Sequence, residues 1–148
     1  MSELGIDTIF VQDNQSYSQK GVIRGLHFQR PPFAQAKLVR VIKGKVLDVA
    51  VDIRKGSPTY GQHYSVLLTG DNHRQFFIPE GFAHGFVALE DNSIFTYKCS
   101  QFYHKEAEMS IRYNDPILNI DWGLDETPIM TEKDLCGVLF DQFNTPFE

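Results

Sequence analysis

Only two cysteines, Cys99 and Cys136, occur in 148 residues, and their separation is neither a metal-ligating nor a redox spacing. No apolar run exceeds the four residues 86–89. That excludes a transmembrane helix, so no membrane partner is expected, and leaves no apolar segment of the signal-peptide kind. Both thiols are therefore expected to be reduced, in a cytoplasm. A basic excess is missing too: 14 Lys and Arg stand against 19 Asp and Glu, a net charge of −5. This argues against a nucleic-acid partner while leaving room for a local basic pocket. Repeats, low-complexity runs and linkers are absent, so one domain over residues 1–148 is expected. A long helical period is also missing, and only 105–109 and 132–138 read as short helical turns.

What is present is aromatic and β-prone. Twelve phenylalanines, six tyrosines and a tryptophan suit a β-rich core or a ligand pocket. With 42% apolar and 22% charged residues the chain is globular. Short strand-like stretches, separated by turn residues, are predicted at 6–11, 21–29, 37–42, 46–53, 63–69, 74–78, 85–89, 93–100 and 109–113. Asp13-Asn14 reads as a turn, and Lys43-Gly44-Lys45 as a tight hairpin. About nine strands at such spacing predict an all-β sandwich or barrel. The tail from Asp115 is expected to pack across the sheets. Lys37 shares a strand face with Val39 and Val41, which puts it at a sheet edge or pointing into a cavity.

Of five histidines, His63, His73 and His104 sit beside turn residues or charges and read as surface positions. His27 lies inside an apolar strand, where a hydrogen-bonded structural role is the plain reading. His84 heads a strand within Pro79-Glu80-Gly81-Phe82-Ala83-His84. That segment resembles the second half of the cupin signature, and Gly21 with His27 resembles the start of the first. The metal ligands of that signature are not here: His27 is followed by Phe28-Gln29 rather than x-His, 31–34 supply no Glu, and position 88 is Ala rather than Asn. Two separated histidines without a carboxylate make a poor transition-metal site. A barrel using acid–base chemistry, with no metal and no cofactor, is expected.

Several segments in order carry a more specific resemblance. They are Arg24-Gly25-Leu26-His27-Phe28-Gln29, Lys37-Leu38-Val39-Arg40-Val41, Asp48-Val49-Ala50-Val51-Asp52-Ile53-Arg54, 78–86, Tyr97-Lys98-Cys99 and Ile120-Asp121-Trp122. Together they resemble the dTDP-4-dehydrorhamnose 3,5-epimerase family from about Val11 to about Asp134. The resemblance implies a cupin-type jelly roll with a short irregular or helical tail. It implies as substrate dTDP-4-dehydro-6-deoxy-D-glucose, a dTDP-linked 4-keto-6-deoxy sugar, inverted at C3 and C5 in deoxysugar and surface-polysaccharide biosynthesis. A homodimer packed through its sheets is implied as well.

A 4-keto group acidifies the hydrogens at C3 and C5, and inversion then needs a base, an acid on the other face and support for the enolate oxygen. By resemblance His27 is the base, Asp134 the carboxylate that orients it, Lys37 the cation near the C4 oxygen and Tyr97 the opposite-face donor. An imidazole suits proton abstraction near neutral pH. A phenol, with a pKa of about 10, stays protonated there. Arg24, Lys133, His84 and Glu108 match substrate contacts, Gln12, Asp13 and Asn14 a stretch at the thymine end, and Tyr103 the ring that stacks on the base. Singly, Lys37 reads as a surface lysine, Tyr97 as a core aromatic, Asp134 as a helix-turn carboxylate and Gln12-Asp13-Asn14 as a polar turn.

Family members usually carry an N-terminal segment with an Arg-Gly-x-Phe-x-Glu-like motif that helps bind the nucleotide. Here Met1-Ser2-Glu3 leads almost at once to Gln12-Asp13-Asn14, so a shortened relative is expected. A C3-only epimerase or 3,4-ketoisomerase on a related sugar remains open, as does a non-catalytic sugar-nucleotide binder.

Overall fold

Two antiparallel sheets face each other in the computed structural model, which describes residues 9–124, 127–143 and 145–147, the Lys133 side chain excepted. In chain order the strands are β1 (Gln12–Ser18), β2 (Ile23–Gln29), β3 (Lys37–Lys43), β4 (Lys45–Asp52), β5 (His63–Thr69), β6 (Gln75–Ile78), β7 (Phe82–Ala88), β8 (Ser93–Cys99) and β9 (Glu108–Ser110). One sheet has the order β1-β8-β3-β6, the other β5-β4-β7-β2-β9. Only β4 and β5 are consecutive strands within one sheet; every other connection crosses between sheets, the winding of a jelly roll.

That winding corrects the expected hairpin at Gly44. β3 and β4 lie in different sheets, and Gly44, at φ +92°, is where the chain turns from one to the other. A Cβ there would meet Ser93 at 2.4–2.9 Å, so the corner admits no side chain.

The first strand is also displaced. The expected stretch 6–11 lies outside the described residues up to position 8, and Ile9 to Val11 form no strand. Instead Asp13-Asn14, read as a turn, lies inside β1. Pairing with β8 from Gln12↔Cys99 to Ser18↔Ser93 gives these polar residues a full ladder. Their alternating burial shows why a polar strand is stable: Gln12, Asn14 and Ser16 line the interior while Asp13, Gln15 and Tyr17 face out. β7 likewise begins at Phe82, so His84 sits within a strand, opposite Ala50 of β4.

The five-stranded sheet is covered on both faces. Val39, Val41, Val46, Ala50, Leu68, Ile78, Phe86 and Phe95 fill the space between the sheets. Ile23, Leu26, Val49, Val51 and Val87 point the other way, where the tail lays Leu118, Trp122 and Phe143 over them. This double burial explains the nearly unbroken apolar character of β4. The tail is anchored to the sheet by parallel bridges Val22↔Ile129 and Ile111↔Val138, which flank a one-turn helix α1 (Glu132–Leu135). The helix is shorter than expected, and Lys105–Ala107 is a single 3-10 turn. No helix among the described residues is long and apolar enough to cross a membrane.

Candidate active site

His27 reaches the interior because β2 breaks its alternation. Ile23 and Arg24 pair with Val87 and Phe86 of β7, whereas His27 pairs with His84, a register shifted by one. Strict alternation from the inward Arg24 would turn His27 outward. The bulge at Gly25 resets the phase, so Leu26 enters the outer core and His27 the inner cavity. Gly25 has φ +132°, and a Cβ on it would lie 2.5 Å from the Gly85 Cα, so two glycines face each other where the strands approach.

The same bulge organises the carboxylate. The Gly25 N–H donates to Asp134 Oδ2 at 3.3 Å, while Asp134 Oδ1 lies 2.5 Å from His27 Nε2. Asp134 is buried in α1, whose start is capped by Thr131 Oγ1 accepting from the Asp134 N–H at 3.3 Å. With Nε2–H given to Asp134, the basic lone pair of His27 is on Nδ1.

Lys37 and Tyr97 come from the opposite sheet. Lys37 pairs with Cys99, and Tyr97 lies two pairs along against Val39, so neighbouring β3 and β8 present both inward. The Lys37 Nζ sits 5.6 Å from the centre of the Tyr97 ring, which packs on Phe95 at 5.7 Å. Burial pushes the Tyr97 phenol above its ordinary pKa, keeping it an O–H donor at neutral pH. Burial pushes the Lys37 ammonium down, opposed by attraction to Cys99 and Asp48.

These groups line a cavity of about 410 Å³ between the sheets, together with Gln12, Asn14, Arg24, His84, Tyr103 and Glu108. Tyr103 is held at its rim: its N–H donates to Gln12 Oε1 at 3.0 Å and its hydroxyl to Glu108 Oε1 at 3.3 Å. Asp13 is not brought in. Alternation sends it to the outer face, where Lys98 Nζ pairs with it at 2.8 Å. The Lys133 side chain lies outside the described residues. His63, His73 and His104 do not reach the cavity; His104 stacks on Phe33 at 3.8 Å.

The chain matches the dTDP-4-dehydrorhamnose 3,5-epimerase family over residues 1–142. It belongs to that family. The enzyme of that name from Methanothermobacter thermautotrophicus is 54% identical over 134 residues, covering 89% of this chain and 72% of the relative. The structure of dTDP-6-deoxy-D-glucose-3,5-epimerase from Legionella pneumophila, in complex with dTDP-4-keto-L-rhamnose, superposes with a TM-score of 0.92 at 54% identity, covering 97% of this chain and 76% of that one. The Bacillus anthracis dTDP-4-dehydrorhamnose 3,5-epimerase structure, with TDP and PPi bound, gives 0.91 at 45% identity, covering 94% and 79%. The fold is thus the cupin-type jelly roll of these epimerases.

Three features of this epimerase-family site went unread in the sequence. Asp48 lies 2.6 Å from His84 Nε2, so a second cavity histidine has a carboxylate besides the one expected for His27. A lone acid inside Val46-Leu47-Asp48-Val49-Ala50-Val51 was the available signal. Gln29 clamps the rim loop, donating to Phe33 O at 2.7 Å and Phe102 O at 3.2 Å and accepting from the His104 N–H at 2.7 Å. Cys99, a buried free thiol, forms part of the cavity wall; Cys136 is also free, and exposed.

Proposed function

We propose that this protein epimerises dTDP-4-dehydro-6-deoxy-D-glucose at C3 and C5, giving dTDP-4-dehydro-L-rhamnose. The observation that carries the reading is the position of His27 on one sheet with Lys37 and Tyr97 on the other, across one cavity. Inversion at carbon needs a base and an acid on opposite faces, and two facing sheets supply them. His27 Nδ1 takes the proton from C5, and the electron pair moves into the carbonyl to give an enolate. The Lys37 ammonium faces the C4 oxygen and offsets its charge. The enolate collapses as Tyr97 O–H delivers a proton to the far face of C5. The imidazolium, held by Asp134, returns its proton to solvent, and the tyrosinate regains one. The C3 carbon follows the same sequence. Arg24 meets the diphosphate and Tyr103 stacks on the thymine, with Gln12, Asn14, His84, Glu108 and Lys133 as further contacts. The names of the relatives support the double epimerase over a C3-only epimerase, a ketoisomerase or a binder. The reading carries one domain over residues 1–148 and a cytoplasmic setting.

Incubation with the 4-keto sugar nucleotide in D2O is the test. Deuterium is expected at both C3 and C5 of inverted product. Deuterium at C3 alone would point to the single epimerase, and none at all to a binder. Because His27 and His84 each have Nε2 engaged by a carboxylate, prior EDTA treatment is expected to leave the rates unchanged. Activity lost to EDTA and restored by a divalent ion would contradict the metal-free chemistry.

A homodimer is part of the proposal. The outer face of the four-stranded sheet exposes Tyr17 and Ile42, and its edges β1 and β6 are open. Light scattering at micromolar concentration is expected to give twice the chain mass of 17.0 kDa. A monomer would refute it.

A further inference from the structure

Beside the His27–Asp134 pair lies a second histidine–carboxylate pair. His84 is the cross-strand neighbour of His27 and is itself buried in the cavity wall. Asp48 has no accessible surface, and its Oδ1 lies 2.6 Å from His84 Nε2. Its other oxygen, Oδ2, is buried without a hydrogen-bond partner among the described residues. An acceptor left bare in an apolar strand is unfavourable for folding, and such groups call for a role. The titratable groups sharing the cavity are His27 from β2, Lys37 from β3, Tyr97 and Cys99 from β8 and Glu108 from β9. Burial pushes the Asp48 carboxyl up and His84 and Lys37 down; attraction between Asp48 and the two bases opposes the shift of all three, while Lys37 and His27 add to the downward shift of His84.

We propose that Asp48 is a positioning residue of the epimerase: it ties down the Nε2–H of a neutral His84 and so fixes the ring beside His27. This rests on the epimerase reading above. A neutral His84 keeps a second cation away from His27, which must gain a positive charge when it takes the substrate proton. It also leaves Nδ1 as an acceptor for a sugar hydroxyl.

The substitution Asp48→Asn keeps the shape and removes the charge. Deuterium exchange at C3 and C5 is expected to fall roughly 10²-fold, the scale of losing one aimed electrostatic group. Binding of dTDP should be unchanged by calorimetry. The His84 ring should lose its fixed Nε2–H tautomer in this variant, read by nitrogen NMR, because a neutral amide can either donate to Nε2 or accept from it. An unchanged rate with an unchanged His84 tautomer overturns the proposal. A second measurement uses the unsubstituted protein, so it stands even where the Asn variant fails to fold. Nitrogen NMR of His84 is expected to show a neutral ring protonated at Nε2 from about pH 5 to 8, the range in which an ordinary histidine titrates. A His84 that takes up a proton in that range overturns the proposal. Wild-type protein that exchanges no deuterium would sink the epimerase reading alone, and the NMR result would still decide the state of His84.

Discussion

Replacing His27 with alanine is expected to abolish both deuterium exchange and inversion, a loss of at least about 10²–10⁴-fold, the usual contribution of a positioned base. The reason is geometric. His27 joins a ring nitrogen free of its carboxylate to a half-buried position, open to the cavity, on the sheet facing Tyr97 and Lys37. His84 lies beside it, buried and tied to Asp48, and does not replace it. The fold should survive. His27 is half-buried, and Asp134 keeps the Gly25 N–H after the imidazole is gone. Leaving a buried carboxylate short of one partner costs about 1–3 kcal/mol, so a modest fall in melting temperature should accompany the loss. NMR of the sugar nucleotide in D2O reads the exchange, and thermal unfolding reads the stability. His27→Asn, which can still donate to Asp134, should regain stability but not exchange. Exchange near the wild-type rate in either variant would move the base elsewhere, with His84 the next candidate.

Tyr97→Phe is expected to separate exchange from inversion. The substitution removes one hydroxyl and keeps the ring against Phe95 and beneath Lys37. His27 can still take a proton from C5 and return a deuteron to the same face, so exchange persists. Inversion at C5 needs the far-face donor and should drop by about 10²–10⁴-fold. The comparison is deuterium incorporated against inverted product, from one NMR time course. Inversion at the wild-type rate would make Tyr97 a packing residue, with water or another side chain as donor. If exchange and inversion vanish together, Tyr97 holds the substrate instead. The buried phenol, pushed above its ordinary pKa, also makes a prediction of sign: inversion should not fall on the alkaline side through ionisation of Tyr97 until above pH of about 10.

The strands with clear apolar content were legible in the sequence because burial on at least one face imposes a pattern. Lys37 among valines is an example: a charged residue on a buried face was read as an edge or cavity position, and the cavity is where it lies. β1 was misread because its inward residues, Gln12, Asn14 and Ser16, are polar; they line a polar cavity, so hydrophobic alternation carries no signal there. The hairpin at Gly44 was misread for another reason. A glycine turn between two strand-like runs looks the same whether the strands pair or part to different sheets.

The sequence by itself determined that the chain would be all-β, rich in aromatics, acidic and free of a spanning helix, and its ordered motifs pointed to the epimerase family. These properties follow from local composition and spacing. Tertiary structure alone decided which groups meet. Asp134 reaches His27 across 107 residues and Asp48 reaches His84 across 36. Both contacts depend on the tail lying along β2 and on β4 pairing with β7, long-range pairings that no local pattern encodes. The inward turn of His27 depends on a one-residue register shift at Gly25. Because strand side chains alternate with period two, that single residue decides whether the imidazole faces the cavity or the outer core.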